Sequence, residues 1–224
     1  MSLRSLREEV IVCRACRRLV RCREAAARTP PRRFQGQRYW ARPVTGFGDA
    51  RARLLVVGLA PAAHGGNRTG RIFTGDRSGD WLYAALHRAG LANQATSTHV
   101  GDGLRLRDAY ISCIVRCAPP GNRPTPLERD RCLPFFVREL ALLTEVQAIV
   151  ALGGFAWEGV LLAARALGHA VPSPKPKFAH GARARVGPWL LFGSYHVSQQ
   201  NTFTGRLTEP MLDAVFSRAR AALR

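Results

Sequence analysis

A short apolar run, Leu54-Leu55-Val56-Val57, leads into a long, glycine-rich segment. This segment reads Gly58-Leu59-Ala60-Pro61-Ala62-Ala63-His64-Gly65-Gly66-Asn67-Arg68-Thr69-Gly70-Arg71-Ile72-Phe73-Thr74-Gly75-Asp76. An apolar run that ends at a glycine is typical of a buried strand. Glycine also lets the backbone amides that follow approach a ligand closely. A loop of this length inside a compact domain is usually either functional or wrongly assigned. The stretch therefore predicts a strand followed by a binding loop.

Three more apolar runs follow along the chain, and helical patterns separate them. The predicted strands cover 53–58, 109–115, 148–152 and 189–192. Short apolar strands that alternate with helices indicate a mostly parallel sheet covered on both faces. We therefore expect an α/β protein, a three-layer α/β/α fold with a central four-stranded parallel sheet, in which residues 1–224 form a single domain.

The loops after the strands are expected to meet. Right-handed crossovers place the loops that follow parallel strands at one edge of the sheet. Ligands bind at this carboxyl edge in such folds. The loops predicted to form one cleft are 58–78, 116–125, 153–156 and 194–207.

Helical patterns also occur outside the sheet. Residues 3–27 carry apolar residues at helical spacing, and Thr29-Pro30-Pro31 ends the pattern. A later helix opens on Thr125-Pro126-Leu127-Glu128, a capping box with proline at the first helical position. Pro134 is expected to break or restart that helix.

The chain is strongly basic, with 34 Lys and Arg against 15 Asp and Glu and a net charge of +19. Only Lys175 and Lys177 are lysines. A GC-rich or heat-adapted genome explains arginine in place of lysine, but not the surplus of base over acid. That surplus favours a polyanionic partner, most often nucleic acid. No stretch approaches the roughly 18 apolar residues of a membrane helix, and no signal peptide is evident. We therefore expect a cytoplasmic protein without membrane contact.

Six cysteines are present, and disulfides are rare in cytosolic proteins. The helical pattern puts the CxxC pair Cys13 and Cys16 on one helix face. Cys113 and Cys22 are interpreted as small buried hydrophobes. The remaining four are candidate metal ligands: Cys13, Cys16, Cys117 and Cys132. Scattered thiolates suit an iron–sulfur cluster somewhat better than zinc, but spacing alone does not separate the two.

Polar and aromatic residues in the loops have two readings each. His196 follows the last strand and could donate a hydrogen bond to a developing anion, or be solvated. Asp76 could position a water or serve as a turn residue. Phe73 could stack on a base or anchor the core. Asn122 could recognise a base edge or close a turn.

Together these motifs resemble the uracil-DNA glycosylase superfamily, most closely its fifth family, the type B enzymes of thermophilic bacteria and archaea. The first motif covers residues 58–65, extended by 67–76. The second is His196-Val197-Ser198-Gln199-Gln200-Asn201, in place of the commoner His-Pro-Ser. The similarity runs from the CxxC pair to the final helix.

The resemblance implies a structural [4Fe–4S] cluster that ties an N-terminal segment to a DNA-facing loop. Its ligands match Cys13, Cys16, Cys117 and Cys132.

The resemblance also implies a monomeric, monofunctional DNA glycosylase, which flips uracil out of DNA and hydrolyses the N-glycosidic bond to leave an abasic site. His196 matches the histidine that hydrogen-bonds the uracil oxygen, Phe73 matches the stacking aromatic, and Asn122 falls near the pocket.

Two sets of contacts follow from the same resemblance. Backbone amides of the first motif would bind the base edge, at Gly58, Ala60 and Ala62. Side chains of the second motif would enter the duplex, at Gln199, Gln200 and Asn201.

The sequence departs from its relatives at the first motif. Leu59 and Ala60 stand where other families carry a carboxylate or amide that orients the water, and Cys113 stands where the fourth family has an asparagine. We therefore expect a broader choice of bases that includes hypoxanthine, with Asp76 positioning the water.

Two alternatives remain. A non-catalytic iron–sulfur or zinc nucleic-acid-binding module would share the charge and the cysteines, but would not need His196 and Phe73 at one cleft. A nucleotide hydrolase is disfavoured because the Walker phosphate-binding ending is absent and acidic metal ligands are few.

Overall fold

The computed structural model describes residues 1–223, so Arg224, the last residue of the predicted domain, lies outside the described residues. The α-helices are α1 (Leu3–Ile11), α2 (Arg17–Arg28), α3 (Gly66–Thr69), α4 (Arg77–Arg88), α5 (Pro126–Leu142), α6 (Gly154–Ala166), α7 (Gln199–Phe203) and α8 (Glu209–Ala221). The strands are β1 (Phe47–Gly48), β2 (Leu54–Gly58), β3 (Ala109–Cys113), β4 (Ala148–Leu152), β5 (Arg183–Val186) and β6 (Trp189–Ser194). Short 3-10 helices cover Arg32–Phe34 and Pro120–Asn122. None of the helices within 1–223 is long and apolar enough to span a bilayer.

The strands form one sheet in the order β1-β3-β2-β4-β6-β5. The four central strands are parallel, which confirms the predicted four-stranded parallel sheet. Two antiparallel edge strands, β1 and β5, extend it to six strands. The edges were not expected because β1 has only two residues and β5 alternates the exposed Arg183 and Arg185 with smaller residues, so neither forms an apolar run.

Helices cover both faces of the sheet, as expected. Every residue of β2, β3 and β4 is buried, because successive side chains point to opposite, equally covered faces. Leu54 and Val56 belong to the core cluster that includes α4 and α8. Leu55 and Val57 belong to the cluster that includes α5 and α6. Because the four central strands are parallel, their carboxyl ends lie at one edge of the sheet.

The single helix predicted for residues 3–27 is wrong, because the chain breaks between α1 and α2. The CxxC pair lies in this break rather than on one helix face. Cys16 is the N-cap of α2 and has extended backbone angles, with φ −109° and ψ 92°. The change of direction lets the apolar faces of both short helices pack on the domain, through Leu6 and Val10 of α1 and Leu19 of α2.

Helix α5 begins at the predicted Thr125–Glu128 capping box. It continues through Pro134, so the expected break is wrong. Proline removes the hydrogen bond to the carbonyl four residues earlier. That carbonyl belongs to Asp130, which is an exposed residue. An ion pair between Arg138 and Glu9 joins α5 to α1.

Candidate active site and cysteine cavity

Phe73 lies in the binding loop with a left-handed φ of 50°, which is rare for a bulky residue. Its buried ring rests on Gly58 at the end of β2, where a Cβ would be 2.7 Å from ring atom Cζ. Its carbonyl rests on Gly79, where a Cβ would be 2.0 Å from the oxygen. The two glycines therefore create the space that holds the strained loop in place.

His196 follows β6 and contacts Phe73 across the carboxyl edge. The ring centroids are 6.2 Å apart, with planes inclined by 37°. Gly153, at the end of β4 with φ 95°, lies beneath His196, and a Cβ there would be 3.4 Å from the His196 Cβ. Loops 58–78, 153–156 and 194–207 therefore meet, as predicted. Burial lowers the pKa of His196 to about 4, so its imidazole is neutral at pH 7.

Asp76 is the N-cap of α4, where its Oδ1 accepts the Gly79 N–H at 2.9 Å. Its Oδ2 faces Gly65, where a Cβ would lie 1.7 Å away. Burial raises the pKa of Asp76, while hydrogen bonds from the Gly79 and Ser78 N–H groups oppose the rise. The carboxylate thus caps a helix at the cleft, and its action on a water stays a prediction.

Some backbone groups of the first motif form hydrogen bonds within the fold, and others have no partner in the described residues. The Gly58 and Leu59 carbonyls accept N–H groups from the segment after β3, at 3.1 and 3.0 Å. The Ala62 carbonyl accepts from Gly65 and Asn67. Among residues 1–223, the N–H groups of Ala60 and Ala62 have no hydrogen-bond partner. They are therefore available to a ligand.

The remaining predicted site residues lie outside the contact between Phe73 and His196. Asn122 lies at an exposed turn with φ 56°, a conformation that asparagine tolerates. The Asn201 amide donates to the His196 carbonyl at 2.8 Å, so it holds the histidine segment rather than projecting outward. Gln199 and Gln200 are exposed on α7. The structure does not bring Asn122 into hydrogen-bond contact with Phe73 or His196 within the part of the chain it describes.

An open groove runs beside the binding loop. It is lined by α2, the binding loop and the 116–125 loop, at Arg18, Arg21, Cys22, Ala25, Ala26, Thr29, His64 and Pro120. His64 shares a 3.0 Å hydrogen bond with the Tyr39 hydroxyl. The interpretation of Cys22 as a buried hydrophobe is wrong, because it is half-buried and lines this groove, whereas Cys113 is fully buried in β3.

The four candidate metal ligands line one cavity between the N-terminal break, the segment after β3 and α5: Cys13, Cys16, Cys117 and Cys132. The Cys132 Sγ accepts the Arg116 N–H at 3.3 Å. Burial raises the pKa of Cys117 to about 11 and that of Cys132 to about 12. In the described residues no three His, Cys, Asp or Glu side chains converge closely enough to bind a single metal ion.

Arg23 was missed by the sequence reasoning, although its guanidinium contacts two of the cysteines that line this cavity. Its Nη1 donates to the Cys117 Sγ at 3.0 Å and its Nη2 donates to the Cys13 carbonyl at 3.2 Å. Arg23 is four residues after Leu19 and therefore on the same buried face of α2. An arginine at an apolar position of a helix was the available signal.

Comparison with known proteins defines the class. The family model for the uracil DNA glycosylase superfamily matches residues 45–220. The chain therefore belongs to the uracil-DNA glycosylase superfamily. This match includes β2 with its binding loop and the His196 segment.

Within the superfamily, similarity over nearly the full length is to type-5 proteins. The type-5 uracil-DNA glycosylase of Mycobacterium bovis is 55% identical over 98% of this chain and 81% of its own length. That of Thermus thermophilus is 49% identical over 95% of this chain and 94% of its own. A type-4 uracil-DNA glycosylase of Pyrobaculum aerophilum is 32% identical over 52% of each chain.

Proposed function

We propose that the protein is a DNA repair glycosylase that excises uracil from DNA. The observation that carries this proposal is the contact of Phe73 and His196 at the carboxyl edge of the sheet. Phe73 offers a flat apolar face to a base, and His196 offers an N–H donor beside it. The free N–H groups of Ala60 and Ala62 add donors from the same loop. Such a site suits a planar base with carbonyl oxygens.

The chemistry follows from these groups. When the N-glycosidic bond breaks, its electron pair stays on the base and the deoxyribose becomes oxocarbenium-like. Neutral His196 hydrogen-bonds the base oxygen on which negative charge develops. Water then adds its oxygen to C1′ and releases a proton, which leaves an abasic site. We propose that Asp76 orients this water through the oxygen that does not cap α4, and that Asn122 contacts the base once DNA is bound.

We also propose a broad choice of bases. Leu59 and Ala60 carry no polar side chain to select a base, and Cys113 at the end of β3 pairs in register with Gly58. Because backbone amides contribute much of the pocket's polarity, hypoxanthine, which also has a carbonyl oxygen, is expected to be a substrate.

DNA would lie across the basic groove beside the binding loop. Arg18 and Arg21 line this groove, and Arg33 and Arg68 stack on Phe34 next to it. Gln199 and Gln200, exposed on α7, would reach the duplex, while Asn201 would support them from behind. The net charge of +19 supports binding through phosphates. All these residues come from one chain, so we propose a monomer that acts on DNA in the cytoplasm.

Cys13, Cys16, Cys117 and Cys132 would hold a [4Fe–4S] cluster. The four thiols line one cavity, and scattered thiolates of this kind suit a cluster better than a single zinc ion. When bound, the cluster would supply a structural crosslink between the N-terminal break, the segment after β3 and α5. The Arg18–Glu128 ion pair, at 2.7 Å, already joins α2 to α5. We thus propose that residues 1–224 form one domain. The cluster and the Arg18–Glu128 ion pair would together hold its N-terminal helices in place.

One experiment tests the enzymatic proposal. The protein is incubated with duplex oligonucleotides that carry uracil, hypoxanthine or no lesion, and abasic products are detected by alkaline cleavage. We expect alkali-dependent cleavage at uracil and hypoxanthine only. Strand breaks without alkali would contradict monofunctional excision. DNA binding without any abasic product would favour the non-catalytic module.

A further inference from the structure

Arg23 is a buried cation for which the described residues provide no carboxylate. Its side chain is only 2% exposed. No Asp or Glu oxygen of residues 1–223 lies within salt-bridge distance of it, and the adjacent Glu24 pairs with Arg14 at 2.7 Å. Within the described part of the chain its Nε atom is buried without a hydrogen-bond partner, a feature it shares with Nε and Nη1 of Arg116. A buried guanidinium in this state is strongly unfavourable unless an anion lies nearby.

Arg116 provides an internal comparison, because it is a second buried arginine and lines the cavity of the four cysteines. Its guanidinium pairs with Glu139 at 2.5 Å. Glu139 also accepts hydrogen bonds from Tyr110 and Ser112. Thus one buried arginine has a carboxylate as its counter-ion, whereas Arg23 has only the Cys117 sulfur and a backbone carbonyl.

A neutral thiol supplies no counter-charge, but a metal-bound thiolate is an anion. A cluster held by four thiolates carries net negative charge that hydrogen bonds to sulfur stabilise. We propose that Arg23 is the counter-charge of the metal–thiolate group at the four cysteines and stabilises it through the hydrogen bond to the Cys117 Sγ. This inference rests on the cluster in the proposed function.

Arg23 also connects the cysteine cavity to the binding loop. The Asn67 amide donates to the Arg23 carbonyl at 3.1 Å and to the Ala63 carbonyl at 3.2 Å. Asn67 is 1% exposed, so this link is shielded from water. Because the acceptor is the backbone carbonyl of Arg23, this contact joins helix α2, rather than the Arg23 side chain, to the segment that leads to Phe73. Asn67 therefore acts as a positioning residue for the pocket.

The test compares Arg23→Met with Arg28→Met, which removes an exposed positive charge from the same helix. Iron and sulfide content, the rate of cluster loss to a chelator and the reduction potential are measured on each loaded protein. We expect Arg23→Met to lose its cluster about 10-fold faster than wild type, the low end of the effect of removing an outer partner of a metal ligand. Its reduction potential should fall, because the added electron loses a neighbouring cation.

The outcomes separate this inference from the function on which it rests. Wild-type protein without iron and sulfide would overturn the cluster itself. Wild-type protein with a cluster, together with equal loss rates and potentials in Arg23→Met and Arg28→Met, would overturn the role of Arg23. If Arg23→Met fails to fold, Arg23→Lys decides. Its ammonium keeps the charge, so it should retain iron better than Arg23→Gln, which keeps only a neutral donor. Equal rates of iron loss in Arg23→Lys and Arg23→Gln would reject the counter-charge.

The link to the pocket is tested by Asn67→Ala. Iron and sulfide content should stay at the wild-type level, while single-turnover uracil excision should fall about 10-fold because the loop is displaced. Wild-type excision by Asn67→Ala would reject the link, and loss of the cluster would show that Asn67 serves the cysteines instead.

Discussion

The rings of Phe73 and His196 lie 6.2 Å apart although one follows β2 and the other follows β6. Strand β4 separates these two strands in the sheet, and its own loop begins with Gly153. Its φ of 95° is a conformation that favours glycine, whereas a Cβ there would make an ordinary 3.4 Å contact with the histidine. The contact between the rings therefore depends on three strand ends in register and on glycine at the middle one.

Replacing His196 with alanine should slow uracil excision by about 10²–10³-fold, the cost of losing one donor to a developing anion. The measurement is single-turnover cleavage of a uracil-containing duplex. His87→Ala removes an exposed histidine from α4 and serves as the control. Equal rates in the two variants would remove His196 from the reaction.

The pH dependence of stability should report the neutral state of His196. Because its pKa is lowered to about 4, the folded protein binds this proton less readily than the unfolded chain, where a histidine titrates near pH 6.5. The stability that the neutral ring contributes is fully present above pH 6.5 and is lost as the pH falls from 6.5 towards 4. Denaturant unfolding should therefore show a steeper decline in wild type than in His196→Gln between pH 6.5 and 4. Parallel curves would contradict the lowered pKa.

Two substitutions of Asp76 separate its cap from its charge. Asparagine caps helices as well as aspartate, so Asp76→Asn should retain most of the free energy of unfolding. Asp76→Ala should lose about 1 kcal/mol, because the Gly79 N–H loses its acceptor. If the carboxylate orients the water, excision falls in both variants. Full excision by a stable Asp76→Asn would limit Asp76 to capping.

Gly58→Ala should damage the pocket without removing any polar group. The new Cβ would be 2.7 Å from the Phe73 ring, so the ring must move. Overpacking of this kind costs about 1–3 kcal/mol, and we expect excision to fall with it. Gly101→Ala is the matched control, because its Cβ would make an ordinary 3.6 Å contact. Similar unfolding and excision in both variants would show that the ring adapts freely.

The cysteine variants test the ligand set. Cys13→Ser and Cys117→Ser should purify with little iron and with reduced absorbance at about 400 nm. Cys22→Ser should keep both the iron and the absorbance. The measurement is iron and sulfide per chain, with about four of each in wild type. Stoichiometric zinc in a colourless wild-type protein, or iron loss in Cys22→Ser alone, would contradict the assignment.

The centre of the fold could be predicted because it depends on local apolar runs. Each of the four parallel strands is an apolar run in the sequence, and their parallel direction places the loops that follow them at one edge. The break between α1 and α2 could not be predicted, because helical spacing from Leu3 to Cys16 continues across it. Tertiary packing of two short helices overrides that spacing.

The position of a candidate residue was predictable where it stands directly after a strand, as with His196. The four cysteines chosen from the sequence also line one cavity, although their metal-binding role stays a prediction. Side-chain direction was not predictable. Asn201 turns back to the His196 carbonyl, and Asn122 sits at a left-handed turn, because local backbone geometry decides both. The burial of Arg23 was not predicted, because an arginine on a helix is usually exposed to solvent.

The two edge strands have a consequence for aggregation. The buried strands β2, β3 and β4 are rich in β-branched and apolar residues, and such segments pair readily with other chains when an edge exposes them. Here the sheet ends at the two-residue β1 on one side and at β5, with its exposed Arg183 and Arg185, on the other. Short and charged edges are poor templates for a further strand. The segments most prone to cross-β pairing are thus enclosed between the two strands least able to extend it.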